Sequence, residues 1–199
     1  MTQENRNLIV AHNSQVTAED RHQLLGHKPM TLWMTGLSAS GKSTLAYALE
    51  RRLIDKGRVC YVLDGDNIRH GLNNNIGFSP EDRAENIRRV AEVAKLMNDA
   101  GIIVIAAFIS PYGKDRKQAR TIIGPESFRE IHVSTRLEIC EARDPKGMYH
   151  MARTGNLPNF TGVSSPYEAP VNPDLRIDTD FCSLEQSLEL LLGIVESGA

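Results

Sequence analysis

Eight consecutive residues, Gly36-Leu37-Ser38-Ala39-Ser40-Gly41-Lys42-Ser43, constrain this chain more than any other stretch. They follow the pattern G-x-x-x-x-G-K-[ST], a phosphate-binding loop or P-loop. The flanks fit the motif. Thr31-Leu32-Trp33-Met34-Thr35 reads as a short buried strand, and Thr44 to Glu50 reads as a helix. Strand, glycine loop and helix start form the context this motif requires. Glycines let successive backbone N–H groups turn inward onto phosphate oxygens, and a helix N-terminus adds unpaired donors and partial positive charge. Lys42 is placed to reach the β- and γ-phosphates of a nucleoside triphosphate, and the Ser43 hydroxyl to ligate Mg2+. The motif is shared by kinases, GTPases, ATPase motors and non-catalytic nucleotide-binding modules.

The rest of the chain reads as alternating strands and helices. Val59–Leu63 is a second strand, closing on Asp64-Gly65-Asp66. Ser79-Pro80-Glu81-Asp82 has an N-cap serine, a proline at the first helical position and acids in the first turn. It starts a helix expected to run to about Ala100, with Ile87, Val90, Ala91, Ala94 and Met97 as its buried stripe. The β-branched run Ile102–Phe108 reads as a strand covered on both faces. A helix over 115–123, a strand over 128–133, a helix over 135–143, a strand over 175–179 and a closing helix over 184–195 follow. This order predicts an α/β fold of three layers, a parallel sheet with helices on both faces. Residues 144–173 carry eight glycines and prolines and read as an irregular, mobile lid. The expected division is an N-terminal arm over 1–29 with a short helix capped by Thr17, then one P-loop domain over 30–199.

Composition excludes several classes. A net charge of −2 gives no general attraction to nucleic acid or membrane, and no apolar run is long enough to span a bilayer. Met1 to Val10 lacks the apolar core of a targeting segment. Cys60, Cys140 and Cys182 are widely spaced and read as buried, reduced thiols of a cytoplasmic protein.

Ligands in such folds bind at the C-terminal ends of the strands, and the remaining polar motifs fall there. Asp64 and Asp66 beside a P-loop suit metal-bound water or a substrate hydroxyl, or else a simple turn. Arg69, Arg83 and Arg89 suit an anionic ligand, or else a solvated helix start. Ser110, leaving the buried strand, suits substrate binding, phosphoryl transfer or a plain turn. Lys146, opening the lid, suits a transferred phosphoryl group or solvent. Phe160, in a polar loop, either packs that loop down or stacks on a base.

At this point the motifs resemble one family. Gly36–Thr44, Leu63–Leu72, Gly77-Phe78-Ser79, Glu85–Arg89, Phe108–Tyr112, Arg143–Gly147, Asn159–Gly162 and Tyr167–Pro170 are, in order, similar to adenylylsulfate (APS) kinases. The resemblance implies the P-loop NTPase fold, with ATP and Mg2+ as cofactors and adenylyl sulfate as the second substrate in sulfate assimilation. Gly36, Leu37, Ser38, Ala39, Ser40, Gly41, Lys42, Ser43, Thr44 and Arg143 would hold ATP, with Ser43 and Asp66 at the metal. Asp66, Lys42, Ser110 and Lys146 would be catalytic. Asp66, Arg69, Phe78, Arg83, Asn86, Ile109, Ser110, Lys146, Phe160, Thr161 and Gly162 would bind adenylyl sulfate, with Phe78 and Phe160 sandwiching its adenine. A homodimer is implied, and ATP sulfurylase is a candidate partner. With no sulfurylase domain in the sequence, a stand-alone enzyme is expected. Another small-molecule P-loop kinase and a silent nucleotide-binding module are the alternatives.

Overall fold

A computed structural model describes residues 12 and 14–198 of the chain. The expectation of loose order over residues 1–16 falls largely outside them. Helix α1 (Ala18–Leu25) is opened by a capping box between Thr17 and Asp20 and closed by Gly26 in the left-handed region, as its sequence predicts.

Five strands follow: β1 (Thr31–Thr35), β2 (Cys60–Asp64), β3 (Ile103–Ala107), β4 (Phe128–Val133) and β5 (Leu175–Ile177). They pair in parallel in the order β2-β3-β1-β4-β5. The central strands β1 and β3 are buried along their whole length, which explains their uninterrupted apolar character.

Helices cover both faces. On one, Leu45, Leu49 and Leu53 of α2 (Lys42–Asp55) pack with Leu188, Leu191, Leu192 and Val195 of the C-terminal helix, Leu184–Ser197. Burying each such leucine contributes roughly 1.5–3 kcal/mol. On the other face, Ile87, Val90, Ala91 and Ala94 of the long helix Pro80–Asp99 pack with Ala119 and Ile123 of helix Gly113–Ile123. Trp33 sits in this second layer, fully buried between Phe108 and Phe128 at 5.9 and 5.8 Å between ring centroids.

In chain order the remaining helices are α3 (Gly65–His70), α4 (Pro80–Asp99), α5 (Gly113–Ile123), α6 (Leu137–Arg143), α7 (Met148–Arg153) and α8 (Leu184–Ser197). Two of them correct the sequence reading. Asp64-Gly65-Asp66 is the start of α3 rather than a free turn, and its cap is Asp64, whose side chain accepts from the Asp66 N–H. The stretch read as irregular contains α7, which Gly147 opens in the left-handed region with no capping side chain. A third apolar cluster of Cys140, Tyr149, Ala152 and Phe160 holds this segment against α6. Cys60, Cys140 and Cys182 are all free thiols, but Cys182 is only half-buried.

Candidate active site

The P-loop leaves β1 and enters α2 as the motif requires. Gly36 passes so close to β4 that a Cβ there would lie 2.4 Å from the Val133 carbonyl oxygen. Gly41 has a φ of +104°, open to glycine and strained for other residues. The loop borders a cavity of about 810 Å³ at the C-terminal ends of β1, β2 and β3. Lys42 is buried, and its ammonium donates to the carbonyls of Gly36 (3.0 Å) and Leu37 (2.6 Å). Desolvation pushes its pKa down to about 8.

The metal side of the loop differs from the sequence reading. Ser43 Oγ donates to Asp64 Oδ2 at 2.7 Å, so the carboxylate facing the P-loop serine is Asp64 rather than Asp66. Asp64 is buried at the end of β2, whereas Asp66 lies one step into α3 and is exposed. Asp66 is ion-paired with Lys146, across 80 residues of sequence. A hydroxyl and a carboxylate in contact beside a buried lysine are hard oxygen donors that suit Mg2+ completed by phosphate oxygens and water. Among the described residues, no group of three His, Cys, Asp or Glu could hold a metal alone.

The opposite wall is cationic and aromatic. Arg69, one turn after Asp66 on α3, stacks over the exposed Phe78 ring at 4.2 Å and donates to the carbonyls of Ile76 and Gly77. Arg83, in the first turns of α4, donates to the Phe78 carbonyl (3.0 Å), the Asn159 carbonyl (2.8 Å) and Thr161 Oγ1 (3.2 Å). It therefore ties together the two segments that carry Phe78 and Phe160. Burial lowers the pKa of both guanidinium groups, and Arg83 lowers that of Arg69 further. Two crowded cations on one wall favour an anion between them. Asn86 is buried beside them, and its Oδ1 accepts from Asn73 Nδ2 at 2.9 Å, leaving its own amide N–H groups for a ligand.

Of the residues singled out from sequence, Ser38, Ala39, Gly41, Lys42, Ser43, Thr44, Asp66, Arg69, Phe78, Arg83, Asn86, Ile109, Ser110, Arg143 and Lys146 line this cavity. Gly36, Leu37 and Ser40 belong to the loop but are not among the residues lining the cavity. Phe160, Thr161 and Gly162 do not line it. Phe160 is 5% exposed and meets Tyr149 edge-on at 5.0 Å, so in this structure it packs the lid segment down and does not face Phe78 across the cavity. Ser110 is 2% exposed, and its hydroxyl accepts from the Trp33 indole N–H at 3.2 Å, which leaves it poorly placed as a nucleophile.

Among the lining residues that went unread, Thr179, Cys182, Leu184 and Ser187 form one group. They come from the β5–α8 junction, where Arg143 donates to the Thr179 hydroxyl (2.7 Å) and carbonyl (3.0 Å). No motif marks them; only the sheet order brings that junction to the P-loop. The lid also touches the loop directly, through Tyr149 Oη donating to the Ser38 carbonyl at 3.0 Å.

A parallel sheet whose first strand feeds a P-loop, with a second anion-seeking wall across one cavity, defines a P-loop kinase, an ATP-dependent phosphotransferase. The model of the family described as adenylylsulphate kinase matches residues 28–178. An adenylyl-sulfate kinase of Staphylococcus epidermidis is 53% identical over 186 residues, 94% of each chain. One of Bacteroides fragilis is 54% identical over 193 residues, 97% of this chain and 96% of its own. The structure of the Mycobacterium tuberculosis APS kinase CysC in complex with AMPPNP and APS superposes with a TM-score of 0.82 at 46% identity, covering 85% of this chain and 99% of that one. The chain belongs to the adenylylsulphate kinase family.

Proposed function

We propose that this kinase moves the γ-phosphoryl group of ATP onto the 3′-hydroxyl of adenylyl sulfate, giving ADP and 3′-phosphoadenylyl sulfate. The observation that carries the reading is the two-sided cavity. The P-loop half suits a triphosphate, and the Arg69, Phe78, Arg83 and Asn86 half suits a second ligand that is both anionic and aromatic. Helix α3 spans the two, with Asp66 at its first turn and Arg69 one turn on.

In this reading the acceptor 3′-oxygen forms a bond to the γ-phosphorus as the bond to the β–γ bridging oxygen breaks. Asp66 orients the acceptor hydroxyl and takes its proton. Lys42 and Lys146 stabilise charge on the transferred group and the leaving ADP, Lys146 after exchanging its partner Asp66 for phosphate oxygen. Ser43 and Asp64, with Asp66 nearby, would hold Mg2+, which would supply neutralisation of the phosphate charge. Arg143 and the β5–α8 junction receive the ATP base. Arg69, Arg83 and Asn86 hold the phosphosulfate, and Phe78 covers one face of the acceptor base. Ile109 and Ser110 meet the acceptor through their backbone, and Phe160 and Thr161 approach it with the lid. The enzyme works as a homodimer in the cytoplasm. No helix of the described residues is long and apolar enough to cross a membrane.

An ADP-release assay with adenylyl sulfate, AMP and shikimate tests the reaction. Release with adenylyl sulfate alone is expected. Turnover confined to another acceptor, or none at all despite ATP binding, would overturn it.

A further inference from the structure

Arg116 lies on α5, outside the cavity, and carries none of the roles assigned above. It is 5% exposed. A guanidinium so buried must place its donors. Nε donates to Glu130 Oε1 on β4 at 2.7 Å, Nη1 to the Ser110 carbonyl at 2.8 Å and Nη2 to the Glu168 carbonyl at 2.7 Å. Glu130 neutralises the charge. The other two bonds join a residue of the cavity wall to the segment that closes the lid.

Both ends of this clamp need holding. Ser110 has a φ of +38°, which a residue with a Cβ adopts when its surroundings impose it. Pro111, next in sequence, narrows the conformations open to Ser110 further. The same turn is gripped by Thr35 Oγ1, which donates to the Ile109 carbonyl at 2.7 Å. On the lid side, the Glu168 N–H donates to the Pro111 carbonyl at 2.8 Å, and Glu168 Oε2 accepts from the Gly113 N–H at 2.7 Å. Arg116 is the group whose one planar fork reaches both segments.

We infer that Arg116 is a positioning residue for the phosphoryl acceptor: its buried guanidinium fixes the left-handed turn at Ser110 on which the acceptor rests and ties that turn to the root of the lid at Glu168. The inference rests on the reading that Ile109 and Ser110 meet the acceptor. Its consequence is selective. The P-loop is held by other bonds, so disturbing Arg116 moves acceptor binding and spares nucleotide binding. A lysine keeps the charge but presents it as a point and cannot reproduce the fork.

The test uses the full chain carrying Arg116→Lys, Arg116→Met or Glu130→Gln, with ADP release measured while each substrate is varied against a saturating level of the other. Melting temperatures are recorded alongside. Arg116→Lys should raise the acceptor KM roughly ten-fold while the ATP KM stays within about two-fold. Arg116→Met should raise it further. Glu130→Gln should act in the same direction, and less than additively with Arg116→Lys, because both act through one group. If Arg116→Met does not fold, the other two variants decide. An unchanged acceptor KM in Arg116→Lys would overturn the inference. So would a parallel rise in both KM values tracking a lost melting temperature, the mark of a merely structural ion pair. A wild-type enzyme that uses only another acceptor would overturn the acceptor assignment alone, and the same KM split read with that acceptor still decides on Arg116. Absence of turnover on every acceptor would overturn both.

Discussion

Lys42 carries its charge at a cost. Desolvation brings its pKa down to about 8, so the ammonium begins to lose its proton within the range of ordinary assays. Polyphosphate favours the charged form and raises the pKa in the complex. Below about pH 8 the lysine is already protonated and nucleotide binds without proton exchange. Above it, binding must take up a proton, and affinity should fall by up to about ten-fold per pH unit. Calorimetric titration of an ATP analogue at pH 7 and pH 9, each in two buffers of different ionisation enthalpy, measures that uptake; equal affinity and no uptake at pH 9 would contradict it. Asp64 gives a second prediction. It accepts from the Ser43 hydroxyl and caps α3. Asp64→Ala should cost about 1 kcal/mol of stability through the lost cap and lower kcat by roughly a hundred-fold, with a higher Mg2+ requirement. A Mg2+ titration of kcat beside a denaturant melt separates the two effects. Lys42 and Ser43 were legible in the sequence because the P-loop is a local pattern. The choice between Asp64 and Asp66 was not, since it depends on β2 ending at Asp64 and not one residue earlier.

Among the elements, the lid segment separates two roles that look alike in sequence. Phe78 and Phe160 are both aromatics in polar loops, yet Phe78 is 58% exposed on the cavity wall and Phe160 is 5% exposed against Tyr149. Phe160→Ala should therefore destabilise the lid cluster by roughly 3 kcal/mol, with a lower melting temperature and faster proteolysis near α7. Phe78→Ala should leave stability within about 0.5 kcal/mol and raise the acceptor KM. Thermal melts and acceptor KM values for the two variants test this; matching stability losses would refute the assignment. Long elements were readable because periodicity and caps agreed. The helix opened by Ser79 and Pro80 runs to Asp99, and its apolar stripe faces the sheet as expected. The short helices α3 and α7 escaped notice because one turn bears no period, and α7 starts on a glycine without a side-chain cap. Their positions are set by tertiary contacts, Tyr149 on the P-loop and Arg69 on the Ile76 and Gly77 carbonyls.

At the scale of the whole molecule, the sheet order converts sequence-distant segments into one site and one buried polar layer behind it. Strand β4 lies beside β1 with His132 opposite Thr35, and the lid returns so that Tyr167 covers both. His132 is thereby 5% exposed, and its Nδ1 has no protein partner. Desolvation first, and then Arg176 and Arg116, push its pKa down to about 4. The sign follows from proton counting. In the unfolded chain the imidazole gains its proton near pH 6.5, while in the folded protein it stays neutral to about pH 4. Between those values the unfolded state binds more protons, so stability is full above about pH 6.5 and declines as pH falls towards 4. Each pH unit of that displacement is worth about 1.4 kcal/mol, so the loss reaches on the order of 3 kcal/mol. His132→Phe keeps a ring in the site and removes the titration. Its stability should be less pH-dependent than wild type over the same window, by about one proton. Urea melts at half-unit steps from pH 4.5 to 7.5 measure both slopes. Identical slopes would mean that His132 binds its proton equally in both states, and that the acid response of the fold arises from its paired carboxylates instead.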